Sequence, residues 1–216
     1  MHKHLGLGYT VMETEMTKAA LFEQTSAPLR IAEIGVKPPG PGEVAVDIKA
    51  TGICHSDVAV ITGQLPAPLP LVLGHEGSGV VTEVGEGVTK LASGDHVVLS
   101  WLVSCETCWY CQANAQHLCG RARTMLAAHT MPDGSMPMTL DGQDLRQFLG
   151  LGTFAQHTVV LEDAAIRISQ DVPLPVAALM GCGVLTGYGA AVNTGGVRAG
   201  DAVTVIGCGG VGLNAV

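Results

Sequence analysis

Cys105, Cys108, Cys111 and Cys119 fall within one short polar stretch, in the order C-x2-C-x2-C-x7-C. Thiolates this close along a chain can converge on one tetrahedral metal ion, and zinc is the usual occupant of an all-sulfur site. The rival is an iron–sulfur cluster, whose bacterial ferredoxin run closes with x3 and a proline. Here the last gap is x7 and Gly120 follows, so the spacing favours zinc. Four thiolates leave no open coordination position, which makes such a centre structural. A catalytic zinc instead needs three protein ligands and a free position for water or substrate. Cys54, His75 and Cys182 offer two thiolates and one imidazole from scattered segments. Taken alone, each also reads as a packed core residue.

A third motif is Gly207-Cys208-Gly209-Gly210-Val211-Gly212, which fits G-x-G-x-x-G. It follows Ala202–Ile206, a wholly apolar run of the kind buried in a parallel sheet. Glycines in that place let the backbone approach a pyrophosphate. The side chain that separates NAD from NADP is expected about 20 residues further on, past Val216. The motif therefore leaves the coenzyme choice open.

The neighbourhoods of these residues carry a resemblance. They read Gly52-Ile53-Cys54-His55-Ser56-Asp57, Gly74-His75-Glu76-Gly77 and Gly181-Cys182-Gly183, the last running on to Thr186-Gly187-Tyr188-Gly189. With the four-cysteine lobe, they closely resemble the zinc-dependent medium-chain alcohol dehydrogenases in type, order and separation, from about Lys18 to the end. The resemblance implies that Cys54, His75 and Cys182 bind a catalytic zinc and that Cys105, Cys108, Cys111 and Cys119 bind a structural one, two zinc ions per chain. It makes Glu76 a carboxylate beside the catalytic metal and Asp57 the carboxylate that fixes the histidine ligand. Ser56 matches the hydroxyl that bonds the substrate alcohol and starts the proton's path outward. His55 matches a position facing the cofactor pyrophosphate. Many relatives carry a further histidine where this chain has Ala59, so a relay ending at that imidazole is absent. Thr186 matches a nicotinamide contact, and Gly207, Gly209, Gly210, Val211 and Gly212 the pyrophosphate turn. Leu65, Trp101, Phe148 and Leu149 match walls of the alcohol pocket.

The elements that must position these groups are legible in part. Lys18–Phe22 opens an apolar strand, and Glu43–Thr51 alternates apolar and polar residues with the period of a half-buried strand. Gly77–Val84, His96–Leu99 and Phe154–Val160 read as further strands. Thr130–Gly142 reads as a polar loop with a Pro132-Asp133-Gly134 turn. A helix is expected from near Pro173. With 29 glycines and 4% aromatic residues, the mix suits a turn-rich β domain joined to an α/β unit. The fold class expected is mixed α/β: a GroES-like β-barrel catalytic domain, then the start of a Rossmann dinucleotide-binding domain. The expected division is 1–17 as an N-terminal extension, 18–183 as the zinc-binding domain and 184–216 as the opening, incomplete, of the coenzyme domain. Met12 or Met16 is an alternative start.

Net charge is −8 and no basic run occurs, which argues against a nucleic-acid partner. Leu174–Val192 is uncharged, but its proline and four glycines favour a buried helix and turn over a membrane span. Seven cysteines are an odd number, and Met1–Thr17 lacks an apolar leader core. They read as metal ligands in a reducing cytoplasm. The resemblance implies oxidation of a primary alcohol, aliphatic or aromatic, to its aldehyde, with NAD as the favoured acceptor and NADP not excluded. It also implies a homo-oligomer, dimer or tetramer. The alternatives are a thiol-dependent formaldehyde dehydrogenase of the same family, or an inactive zinc-binding fragment, since the coenzyme fold is expected to be cut short at Val216.

Overall fold

A computed structural model describes residues 14–216. Ten strands build two sheets around one main core. The strands β1 (Glu15–Phe22), β2 (Arg30–Val36), β3 (Glu43–Gly52) and, after the helix α1 (His55–Ile61), β4 (Leu71–Val72), β5 (Glu76–Val84) and β6 (His96–Leu99) come first. The short helix α2 (Trp109–Gln112) and the longer α3 (Gly120–Ala128) follow. Strands β7 (Met138–Leu140), β8 (Gln143–Gln147), β9 (His157–Leu161) and β10 (Ala165–Arg167) lead to α4 (Leu174–Ala177), α5 (Gly183–Gly189) and α6 (Gly210–Leu213).

Strands β1-β2-β7-β8-β4 close into a barrel, and β10-β6-β5-β3-β9 form a five-stranded sheet. A bridge between Ala19 and Ala155 joins the first strand to the segment entering β9. The alternation in β3 puts Val44 and Val46 into the core, at 0% exposure, while Lys49 and Thr51 face out. Leu21, Ile34, Val36, Leu99, Met138 and Leu145 meet there from both sheets. A smaller cluster of Phe22, Val60, Leu71, Leu73 and Phe148 lies beneath the Gly74–His75 turn. Phe148 of this cluster packs edge-on against the His75 ring, with centroids 5.6 Å apart.

Several expectations need correction. β1 begins at Glu15, inside the segment read as an extension; residues 1–13 of that extension, Met12 among them, lie outside the described residues. The polar loop 130–142 holds β7, whose Thr139 pairs with Gly35 and whose Met138 is buried. Arg30–Val36, Leu71–Val72, Gln143–Gln147 and Ala165–Arg167 are additional strands. The strand expected at Phe154 starts at His157. The largest change is at Ala202–Ile206. It forms no strand, and Ile206 is 96% exposed. A parallel strand exists only through neighbours that accept its ladder bonds, and none lies beside this run among the described residues. The final segments, α5, the glycine turn and α6, resemble the opening of a Rossmann unit.

No single helix among the described residues is long and apolar enough to cross a membrane. Leu174–Gly181 and Gly183–Thr194 reach that length and composition only together, and they meet at 52°.

Two tests follow from the packing. A methyl group at Gly79 would strike the carbonyl oxygen of Asp47 on the paired strand β3, and backbone cannot move aside as a side chain can. Gly79→Ala is expected to destabilise the fold by about 1–3 kcal/mol, read as a lower urea midpoint at unchanged slope. On the same strand, Asp47 accepts a bond from Lys49 Nζ at 3.3 Å and pairs with His157 Nδ1 at 2.9 Å. Partial burial pushes its carboxyl pKa up, but the bonds from His157 and Lys49 outweigh it and leave the value below the ordinary range. A lowered carboxylate stabilises the fold above its unfolded pKa, and that gain is lost as pH falls through the folded value. Asp47→Asn should therefore lower the thermal midpoint at pH 6, and its difference from wild type should shrink as pH falls below the ordinary aspartate range.

Candidate metal centre

The four-cysteine lobe folds on itself. Ligand sulfurs of Cys105, Cys108, Cys111 and Cys119 lie within 4.8 Å of one another. Cys105 Sγ is 3.9 Å and Cys108 Sγ 3.5 Å from Cys111 Sγ. A zinc–sulfur bond of about 2.3 Å in a regular tetrahedron sets sulfur–sulfur edges of about 3.8 Å, so the donor set fits that ion. The sulfurs are oriented by backbone. Cys108 N–H donates to Cys105 Sγ at 3.3 Å, and Cys105 N–H to Cys119 Sγ at 3.4 Å. The Thr107 hydroxyl and amide and the Cys108 amide lower the Cys105 thiol to about 6, which favours the thiolate a metal requires.

The second cluster is assembled from three distant places. Cys54 stands at the N-cap of α1, His75 in the turn entering β5, and Cys182 at the N-cap of α5. Their ligand atoms and a carboxylate oxygen of Glu76 lie within 4.8 Å of one another, with Cys54 Sγ and Cys182 Sγ 3.9 Å apart. The same tetrahedral edge fits this pair. Two thiolates and an imidazole are three donors, which leaves a fourth position open.

Asp57 organises the site from behind. It is 0% exposed, and its Oδ2 accepts the Cys54 amide at 3.0 Å. Its Oδ1 accepts the Gly74 amide at 3.1 Å and meets His75 Nδ1 at 3.3 Å. Contact through Nδ1 leaves Nε2 as the metal-facing nitrogen. Burial alone would lower the His75 imidazole, but Asp57 and the Cys182 sulfur override it and raise it to about 10. The imidazole lowers the Cys182 thiol in turn. A metal ion there requires a neutral imidazole and thiolate sulfurs, so its binding would release protons.

Glu76 is buried and its Oε1 accepts the Gly183 amide at 3.0 Å. This bond ties β5 to the residue after Cys182, and nothing in the motif pattern had pointed to it. Gly52 makes room for it, since a methyl there would overlap the Glu76 carboxylate. Ser56 Oγ is 3.7 Å from Cys54 Sγ, and Thr186 Oγ1 is 3.8 Å from Cys182 Sγ. His55 is exposed on the same turn, and Ala59 is buried inside α1.

The pocket residues divide. Phe148 is buried, with its ring 5.6 Å from the His75 ring at 74°. Leu149 packs beside it, Trp101 packs on the main core, and Leu65 is exposed beyond α1. A separate apolar groove of about 620 Å³ runs between Ala19, Leu29, Ile48 and Phe154. It reaches Thr51 and Ile53 but contains none of the metal ligands and none of these four pocket residues. At the chain's end, Gly207 has φ +95° and Gly212 lies so close to the Gly207 carbonyl that a side chain would not fit. The turn is exposed.

A barrel-and-sheet domain with one all-cysteine centre and one open Cys–His–Cys centre is the scaffold of a zinc-binding oxidoreductase. Residues 40–170 match the alcohol dehydrogenase GroES-like domain. The chain belongs to that family, the zinc-binding medium-chain alcohol dehydrogenases. It is 45% identical over 200 residues to the putative alcohol dehydrogenase D of Mycobacterium tuberculosis, covering 93% of this chain and 54% of that protein. Among solved structures, it resembles an alcohol dehydrogenase zinc-binding domain protein from Burkholderia ambifaria, with a TM-score of 0.87, 36% identity and coverage of 94% and 55%. The benzyl alcohol dehydrogenase of Acinetobacter calcoaceticus gives 0.85, 32%, 93% and 54%. The chain spans about half the length of the relatives it matches.

Replacing Asp57 tests the organisation of the site. Asp57→Asn should weaken cobalt or zinc binding at Cys54–His75–Cys182 by about 10–100-fold and leave the four-cysteine centre unchanged. Metal competition with a chromophoric chelator reads both sites.

Proposed function

We propose that these residues form the zinc-bearing part of an alcohol dehydrogenase that oxidises a primary alcohol, aliphatic or aromatic, to the aldehyde, with NAD or NADP accepting the hydride. The observation that carries this reading is the meeting of Cys54, His75 and Cys182 around one point, with Asp57 behind the imidazole. Similarity to the benzyl alcohol dehydrogenase supports the aromatic end of the substrate range.

A zinc ion held by these three residues supplies a Lewis acid for the substrate oxygen, and a nicotinamide ring supplies the hydride acceptor. The protein's own groups do the rest. Asp57 holds His75 in one tautomer and orientation. Ser56, beside Cys54, receives the proton of the alcohol hydroxyl and passes it toward solvent. With Ala59 in place of an imidazole, that path runs through exposed His55 and water. Phe148, which packs on the His75 ring, and Leu149 beside it would give the carbon skeleton an apolar wall, with Trp101 and Leu65 as further candidate wall residues. Thr186, beside Cys182, faces the nicotinamide. The Gly207, Gly209, Gly210, Val211 and Gly212 turn would hold the pyrophosphate, and His55 would supply a polar partner for it. Glu76 stays close enough to exchange onto the metal. The zinc-binding unit spans 18–183 and the coenzyme unit opens at 184–216; the working enzyme is a cytoplasmic homo-oligomer.

The test is a screen of benzyl alcohol, ethanol and a hydroxymethyl–thiol adduct on the protein that carries these residues, with NAD and with NADP. Oxidation that is abolished by chelation and restored by zinc supports the reading, and preference for the adduct would assign the thiol-dependent substrate instead. Ser56→Ala should lower kcat by about 10²–10⁴ with metal content unchanged. Turnover that survives in His75→Ala without bound metal would overturn the proposal.

A further inference from the structure

Leu149 has φ 54° and ψ 26°, in the left-handed region that a leucine side chain disfavours. Gly150 follows at φ +73°. The pair forms a sharp corner between β8 and the segment leading to β9; the buried Gln147 amide Nε2 donates to the Gly150 carbonyl at 2.7 Å from one side, and His129 meets Leu149 from the other. The Leu149 N–H donates to His129 Nδ1 at 3.4 Å. His129 is itself left-handed, at φ 54° and ψ 44°, where it caps α3 by donating its N–H to the Met125 carbonyl at 2.8 Å. It is 6% exposed. Burial, then the nearby Arg146 charge, holds its imidazole below the ordinary range, so Nδ1 is free to accept.

The same imidazole packs on Phe148. Its ring is 5.1 Å from the phenyl ring at 43°, and the phenyl ring is 5.6 Å from His75 at 74°. Three rings therefore run in series from the end of α3 to a metal ligand. Asp57 fixes the Nδ1 edge of His75 but cannot by itself stop the ring from tilting about that contact. Phe148 packs against it from the side, and Phe148 is only as fixed as the strained corner that follows it.

We propose that His129 is a positioning residue for the Cys54–His75–Cys182 site. It locks the Phe148–Leu149 corner with one hydrogen bond and one ring contact, and so sets the orientation of the His75 imidazole. This rests on the reading of those three residues as a metal site. His129 touches no ligand atom and acts only through Phe148.

Cobalt(II) titration of the metal-free chain separates the possibilities. The wild type should take two ions, with distinct thiolate–cobalt bands for the two centres. His129→Phe keeps an aromatic ring but loses the acceptor. It should weaken cobalt binding at the three-ligand site by about 5–10-fold and shift that site's ligand-field band, with the four-cysteine band unchanged. His129→Asn keeps an acceptor oxygen and tolerates the left-handed backbone but loses the ring contact; it should weaken cobalt binding less than His129→Phe does. In a Leu149→Gly background, where the corner carries no strain, His129→Phe should have little effect. Loss of the four-cysteine band in His129→Phe would report misfolding, and the Asn and Leu149→Gly variants then decide. Equal affinity and an unshifted band in folded His129→Phe, or damage in His129→Asn as large as in His129→Phe, overturns the inference and leaves the zinc reading intact. A wild-type chain that fills only the four-cysteine site overturns both.

Discussion

One buried carboxylate holds the Cys54–His75–Cys182 cluster together. Asp57 is shielded from water, and among the described residues no lysine or arginine is bonded to it; two backbone amides and an imidazole satisfy it instead. A buried carboxylate left unpaired would be costly. The three donors therefore bind strongly, and they belong to the two segments that must meet. Cys54 and Asp57 sit on the first turn of α1, where side chain and backbone bond reciprocally across the cap. Gly74 and His75 sit on the turn before β5. Docking one turn onto the other satisfies Asp57 and places a sulfur and a nitrogen side by side in the same act.

The third ligand depends on a different carboxylate. Cys182 follows the short helical run after Pro173, and its neighbour Gly183 gives its N–H to Glu76. Glu76 is adjacent to His75 in sequence, so the entry to β5 addresses both sides of the site: His75 toward Asp57 and α1, Glu76 toward α5. The glycines around it have a common purpose. Gly52, Gly74 and Gly181 each lie where a methyl group would collide with Glu76, with Thr153 and Phe154, or with the Leu99 carbonyl. Three strands and a helix end approach the cluster at backbone distance only because those positions lack side chains.

The residue types and spacings made the donors legible, while the supports were harder to read. The four cysteines lie within fifteen residues, from Cys105 to Cys119, so their convergence is a local property that spacing can express. Glu43–Thr51 was readable because its outer half keeps the period of two, and His96–Leu99 because its β-branched run, buried on both faces, follows the Ser93-Gly94-Asp95 turn. Leu71–Val72 and Met138–Leu140 are too short to show any period, yet they close the barrel. The Glu76–Gly183 bond joins residues 107 apart, and no local pattern encodes it. His129 was missed for a similar reason: a lone histidine after a helix has no partner in sequence, and Leu149 carries no sign of a left-handed backbone. Ala202–Ile206 failed in the opposite direction. Its apolar, β-branched run signals strand, but a parallel strand is a property of its neighbours as much as of itself.

The two centres therefore answer different physical demands. Closing the cysteine lobe orders one short loop, whose entropy cost is small and nearly independent of the rest of the chain. Closing the other cluster joins Cys54 to Cys182, 128 residues away; loop entropy alone adds only about 2 kcal/mol over the short lobe, and the greater demand is the alignment of three separate segments. The barrel, the Asp57 contacts and the Glu76 bond supply that alignment. That demand explains why buried polar groups are concentrated behind the ligands. Asp57, Glu76 and His75 are all nearly inaccessible, while the sulfurs of Cys54 and Cys182 stay half-exposed on the open side. The buried side fixes geometry, and the other side leaves Cys54 and Cys182 accessible.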